Sequence, residues 1–370
     1  MMKKSVKKVM LPVMAAAMAV SFGALVSAED ETISLTVWGA EEDQTLLKEL
    51  TDNFQAAYPD QTFDIQIGVE SESTAKDTVL TDVEAAADVY AFADDQITDL
   101  VKAGALLKLD DYAEVLQMAG KTLDDVKDAN VEGSVDAATI DGGLYAFPRA
   151  ADNGYFLYYD ASVLSEEDVA SWSSLLEAAD AAGKKVGMTL ASGWYNASFF
   201  YGAGFTTGLN DDGTTAIDWN GTSADGYTGV DVVKGMLAIS GSPAFMAIAD
   251  GDISNQLASG NLAACVSGTW DAMTAQEVFG DGYAATKLPT FTVGDQEVQQ
   301  GSVAGYKYIG VNGYSENSGW AVLLADYLSN EEAQQKFFDE RESGPSNKNV
   351  GASDAIKGNI ALSALAQQSE

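Results

Sequence analysis

The chain has 370 residues, 46% of them hydrophobic and 9% aromatic, with 20 basic against 56 acidic side chains and no histidine. That composition excludes a disordered chain, and a net charge of −36 repels nucleic acid and anionic membrane surfaces. The missing histidine removes Ser-His-Asp triads, Cys-His pairs and histidine-ligated zinc.

Lys3, Lys4, Lys7 and Lys8 precede an apolar run over 9–26, and Val26 and Ala28 are the small −3 and −1 residues of a cleavage site. Residues 1–28 therefore read as a secretory signal peptide cut after Ala28, which gives the chain an extracytoplasmic address. The run approaches membrane-spanning length, but no stop-transfer charges follow it. No cysteine lies near the cut, so no lipidation site is expected. The lone cysteine, Cys265, sits in an apolar segment and reads as a small buried residue, so the fold has no internal disulfide. Removing 28 residues leaves 16 basic and 56 acidic side chains. The remaining length exceeds what one core usually serves, so two lobes are expected.

From residue 33 the pattern alternates strand and helix. Residues 33–38 alternate apolar and polar, as a strand does; Leu46, Leu47, Leu50, Phe54 and Ala57 mark one face of a helix that Pro59 stops. A strand carrying Phe63, Ile65 and Ile67, a helix over 74–86, a strand over 88–92 and a helix over 98–103 capped by Gly104 follow. A second series begins near Leu144, with a strand over 155–159, a helix over 173–182 and a strand over 185–189. A turn at 210–213, a helix over 224–237 and a short helix over 252–259 come next. Strands over 262–266, 284–288 and 306–311 and helices over 317–328 and 331–341 complete it. Such repetition builds sheets covered on both faces, with ligands held at the carboxyl ends of the strands. The handovers between the series put hinge crossings at 150–154, 288–290 and 328–330.

Three segments deliver aromatic rings together with carboxylates: 88–96, 147–159 and Ser267-Gly268-Thr269-Trp270. Rings offer an apolar face and carboxylates accept hydrogen bonds, which matches the C–H faces and hydroxyl rim of a sugar. No phosphate-cradling glycine motif is present, since Tyr201-Gly202-Ala203-Gly204 lacks the third glycine. Asp250-Gly251-Asp252-Ile253-Ser254-Asn255 has part of a calcium-loop pattern but lacks the sixth-position glycine and the closing glutamate. No metal and no cofactor are expected. Paired acids could serve glycoside hydrolysis, but nothing singles out a pair.

The segments Leu35-Thr36-Val37-Trp38-Gly39, Ala87 through Asp95, Gly104-Ala105-Leu106, Phe147-Pro148, Asp152-Asn153-Gly154-Tyr155 and Tyr158-Tyr159-Asp160 carry a resemblance. Gly193-Trp194-Tyr195, Asn261 through Trp270 and Lys287-Leu288-Pro289-Thr290-Phe291 continue it. In this order and spacing the chain, over 33–349, resembles the extracellular solute-binding proteins of carbohydrate ABC importers, nearest the maltose/maltodextrin-binding group. The resemblance implies an α/β, two-lobed periplasmic-binding-protein type II fold with a ligand cleft between the lobes and three hinge crossings. It implies an N-terminal lobe of 29–150 and 290–328 and a C-terminal lobe of 154–287 and 331–370. It also implies capture of an oligosaccharide by a monomer that delivers it to membrane permease subunits, without catalysis. Carried over residue by residue, Trp38, Phe92, Trp194 and Trp270 would face the sugar. Glu42, Asp43, Asp95 and Asp152 would accept from its hydroxyls. Tyr195 and Tyr306 join the candidate set, and Lys307 either meets a ligand hydroxyl or pairs with an acid. Family members usually carry further C-terminal helices and another cleft aromatic beyond the point where this chain stops, so either a shortened second lobe or an incomplete sequence is expected.

Each assignment has a plainer counterpart. Phe92 could be core at a strand end, Trp38 could pack between helices, Asp95 could cap a helix and Asp152 could anchor a hinge. Tyr155, Tyr158 and Tyr159 read mostly as core. Other functions remain open at this point: a receptor for another solute such as an opine or polyamine, a secreted glycosidase, or an adhesive surface protein.

Overall fold

The computed structural model describes residues 32–210 and 214–369. The expected signal segment and cleavage site and most of the expected 210–213 turn lie outside the described residues. Among those described, no helix is long and apolar enough to cross a membrane.

β1 (Ile33–Gly39) turns Ile33, Leu35 and Val37 inward and leaves Ser34 and Thr36 exposed, the two-residue period of a strand with one open face. α1 (Gln44–Ala57) lays Leu46, Leu47, Leu50 and Phe54 on the inward side and ends just ahead of Pro59, whose ring disfavours helix in the residue before it. After β2 (Phe63–Val69) comes α2 (Ala75–Thr81). It stops at Thr81 rather than at 86, because Asp82 turns the chain outward and accepts from the Ala85 amide at 3.3 Å. β3 (Val89–Ala93) and β4 (Phe147–Ala150) are buried along their whole length.

The second lobe starts with β5 (Phe156–Asp160), α3 (Trp172–Ala181) and β6 (Lys185–Met188). Next come α4 (Gly193–Gly202), α5 (Gly229–Ser240) and β7 (Phe245–Ala247). α6 (Ile253–Ala258), β8 (Leu262–Ser267), α7 (Ala272–Phe279) and β9 (Tyr283–Thr286) follow. A hairpin of β10 (Thr290–Val293) and β11 (Gln296–Gln299) closes this stretch. The chain then returns to the first lobe through β12 (Lys307–Val311), α8 (Ser318–Ser329) and α9 (Glu331–Arg341), and ends on the second with α10 (Ile360–Ser369).

The first lobe holds a five-stranded sheet in the order β2-β1-β3-β12-β4, parallel except for β12; the second holds β7-β6-β8-β5-β9, parallel except for β5. Parallel strands share a direction, so each sheet gathers its carboxyl ends on one edge. The reversed strand of each sheet brings its amino end, Lys307 or Phe156, to the same edge.

Two of the expected boundaries are corrected. The 290–299 hairpin belongs to the second lobe, because Phe291, Val293 and Val298 are buried in that lobe's core and Ser171 bridges to Thr290. The second crossing therefore lies at 300–306 rather than at 288–290. α9 belongs to the first lobe, where Ala333 and Phe337 join the core around α8. The third crossing falls between Gly351 and Ile360, not at 328–330. α10 reaches the second lobe by burying Ala361 and Ala364 with Phe156, Tyr158 and Cys265. The first crossing runs from Ala150 to Phe156. It lies beside the second, with the Tyr155 amide donating to Ser302 Oγ at 3.1 Å and the Asn153 amide to the Gly305 carbonyl at 3.1 Å.

Candidate functional site

The carboxyl-end edges of the two sheets meet across a cleft. On the first lobe that edge carries charge. The short turn Glu41–Asp43 after β1 exposes Glu42 and buries Asp43. The loop after β2 brings in Glu72, β4 brings Arg149 and β12 brings Lys307. Arg149 Nη2 and Lys307 Nζ share the two oxygens of the Glu72 carboxylate, the lysine at 3.0 Å. Arg341, the last residue of α9, donates through Nε to Asp43 Oδ1 at 3.2 Å and lies 4.0 Å from Glu42. Arg149 also lies over the Phe337 ring, 4.4 Å from its centroid. The chain has only two arginines, and both stand here.

Burial alone would raise the Glu72 carboxyl, but Arg149 and Lys307 outweigh it and hold the group at about 2. For Asp43 burial dominates and pushes the carboxyl up, with the neighbouring arginines only partly offsetting it. A buried ion cluster of this kind adds little net stability, because desolvation consumes most of the Coulombic gain. Its presence at a cleft edge is better explained by a need for fixed donors and acceptors there.

On the second lobe the edge is aromatic. Trp270 lies in the turn Thr269–Asp271 after β8, and Trp194 on the first turn of α4. Their rings are 5.9 Å apart at 48°. Trp194 is held from behind by Tyr155 and Tyr195, with centroids at 4.6 and 4.9 Å. Tyr155 also donates its hydroxyl to the Trp194 carbonyl at 2.8 Å. Gly268 is required by the Trp270 ring, since a Cβ there would stand 2.2 Å from it. Asp271 anchors the turn by accepting from Ser254 and Ser267.

Two contacts join the edges. Lys307 Nζ lies 5.1 Å from the Trp270 ring centroid, and Asp152 Oδ2, in the first crossing, accepts from Thr269 Oγ1 at 2.7 Å. The same oxygen accepts from the Gly344 amide at 2.6 Å and from Ser343 Oγ at 3.2 Å. Between the edges a cavity of about 20 Å³ is bounded by Glu42, Asp43, Glu72, Arg149, Trp270 and Arg341, among others, enough for about one water. Arg149 Nε and Asp152 Oδ1 are buried without a hydrogen-bond partner among the described residues.

Of the candidate residues, Glu42, Asp43, Trp270 and Lys307 line one cavity; Trp194 adjoins it through Trp270, and Tyr195 is buried behind Trp194. Asp152 lies behind the cavity as a hinge anchor. Phe92 does not reach the cleft: it is fully buried, packed on Tyr90 and Tyr308 at 5.8 and 5.7 Å, because β3 is the central strand and both its faces are covered. Trp38 packs against Gly68 and lines a separate open groove of about 410 Å³ with Asp77, Thr81 and Asp82. Asp95 is exposed on the turn after β3, and Tyr306 turns its hydroxyl toward Gly133. Sequence reasoning missed Glu72, Arg149, Thr269, Arg341 and Ser343. Arg149 had a signal, a charge inside the apolar run Phe147-Pro148-Arg149-Ala150; Glu72, one of many loop acids, had none. Among the described residues no cluster of acids and cysteine is arranged to hold a metal.

Two α/β lobes, three crossings and a lined cleft define a two-lobed ligand-binding protein. A family model described as bacterial extracellular solute-binding protein matches residues 49–364, and the chain belongs to that family. A structure solved with acarbose is 31% identical, with a TM-score of 0.78 over 92% of this chain and 86% of that one. A maltodextrin-binding protein from L. casei BL23 is 24% identical (TM-score 0.70, the same coverages). A maltose/maltodextrin-binding domain from Bdellovibrio bacteriovorus bound to maltotriose is 17% identical (TM-score 0.74, 90% and 86%). The last two show the fold alone. No curated protein matches by sequence.

Proposed function

We propose that the chain is the exported, monomeric substrate-binding component of an ABC importer. It captures a neutral oligosaccharide of the maltodextrin class between its lobes and presents it, unaltered, to membrane permease subunits. The observation that carries this reading is the pair Trp194 and Trp270, two half-buried indoles at the cleft edge, opposite a wall of fixed charged donors and acceptors. Indole faces suit the C–H faces of pyranose rings, and the charged wall suits their hydroxyls. The structure described as solved with acarbose supports the same class of ligand. The signal segment cut after Ala28 supports export, and closure of the two lobes on the ligand would supply the form a permease recognises.

The test is a thermal-shift and calorimetric screen of the protein lacking residues 1–28 against maltotriose, other neutral oligosaccharides, a polyamine and an opine. Ligand at 100 times its dissociation constant adds about 2.7 kcal/mol to stability. Maltotriose is expected to raise the melting temperature and to be recovered intact. A shift with polyamine or opine alone would discard the saccharide reading, and release of reducing ends would discard the non-enzymatic one.

A further inference from the structure

Lys307 has partners on both sides of the cleft. Its ammonium is 3.0 Å from Glu72 on its own lobe and 5.1 Å from the centroid of Trp270 on the other. The Trp270 face is the apolar surface on which a pyranose would stack, so the lysine holds the place a guest would take. The two partners respond differently to opening. Glu72 lies on the first lobe and is shared with Arg149, so that ion pair moves with the lysine and survives separation of the lobes. The contact with Trp270 cannot survive it. Separation therefore forfeits this cation–π contact, besides the Thr269–Asp152 hydrogen bond, while the buried charges stay paired; the cation–π contact by itself changes the closed-to-open ratio roughly 2- to 30-fold.

We propose that Lys307 is an internal placeholder: in the free protein its ammonium covers the Trp270 face and holds the lobes together, and an incoming saccharide displaces it. Affinity is then reduced by the fraction of protein in which the lysine keeps the cleft shut. This rests on the saccharide reading for its ligand but not for the contact itself. It differs from a direct role, in which Lys307 donates to a sugar hydroxyl and its loss would weaken binding.

Lys307→Met keeps the aliphatic stem and removes the charge, and Arg149 remains to pair Glu72. X-ray scattering of the free variant is expected to give a larger radius of gyration than wild type, and calorimetry with maltotriose is expected to show binding roughly 3-fold tighter or more. Lys307→Arg, which keeps a cation over the ring, should behave as wild type in both. Trp270→Leu removes the other partner, leaves every first-lobe charge paired, and should open the free protein in the same way. A wild-type radius in both Lys307→Met and Trp270→Leu, or binding of Lys307→Met weakened tenfold, overturns the placeholder. If maltotriose fails to bind wild type, the saccharide reading falls and the radii of the free proteins still decide this one.

Discussion

Trp194 and Trp270 stand on segments rich in glycine and polar residues, where a core indole has little to pack against, and both keep part of their surface free. Removing a ring that stacks on a sugar forfeits about 150 Å² of burial, about 2–4 kcal/mol at ~25 cal/mol per Å². Trp194→Ala and Trp270→Ala should therefore each weaken maltotriose binding by roughly 30- to 1,000-fold. Trp194 also braces Tyr155 and Tyr195, so its loss should lower the melting temperature more than that of Trp270. A melting drop with unchanged affinity in the folded fraction, for both variants, would remove them from the site. These indoles were legible because the local sequence offered them no core. Phe92 was not, since an aromatic at the end of a buried strand looks the same whether a ligand or Leu106 and Gly310 lie over it. Of the ion cluster, Glu42, Asp43 and Lys307 were named from the sequence, while Arg149 carried a signal that was not used. Glu72 and Arg341 come from separate segments that the fold alone brings together, and no local pattern marks Glu72 in a chain with 56 acids.

At the scale of elements, the strand–helix alternation was readable because buried apolar positions repeat with the periods of the two structures. Lobe membership was not. A hairpin such as β10–β11 satisfies its own backbone, so its pattern does not say which core receives Phe291. α4 was hidden because Ser192-Gly193-Trp194-Tyr195-Asn196 has the composition of a turn. Where elements cross between lobes, Asp94 marks the junction. Its amide donates to the Tyr306 carbonyl at 3.0 Å, and its Oδ1 accepts from Asn153 Nδ2 at 3.4 Å, so it touches both of the first two crossings. Burial, and then the adjacent Asp95 charge, push this carboxyl up to about 6. A carboxyl that titrates higher folded than unfolded stabilises the fold most when protonated. That contribution is complete below about pH 4 and is lost as pH rises through 6. Asp94→Asn, a neutral isostere able to accept from Asn153, should match wild type near pH 4. At pH 7.5 it should melt a few degrees higher, for about 1–3 kcal/mol after allowance for the water that reaches the group. An equal difference at both pH values would show that the charge of Asp94 is not the cause.

For the molecule as a whole, the decisive quantity is the space between the lobes. A cavity of about 20 Å³ admits a water, whereas ligand pockets run to roughly 300–1,000 Å³, so an oligosaccharide can enter only after the lobes part. The crossings permit this, because 150–156 and 300–306 run side by side and join the sheets without a helix spanning the gap. The contacts resisting it include Lys307 on Trp270 and Thr269 on Asp152. A single cation–π contact of about 1 kcal/mol changes a two-state ratio only about fivefold, so the free protein should populate both open and closed forms. Ligand that binds both edges then favours the closed form by its differential affinity alone. Scattering from wild type should thus give a radius of gyration that falls on saturation with maltotriose. Its ligand-bound profile should agree better with the closed two-lobe arrangement than the free profile does. A free profile already identical to the bound one, under ligand concentrations shown by calorimetry to saturate, would mean that binding does not proceed by closure. The entry route would then have to lie elsewhere than between Trp270 and Lys307.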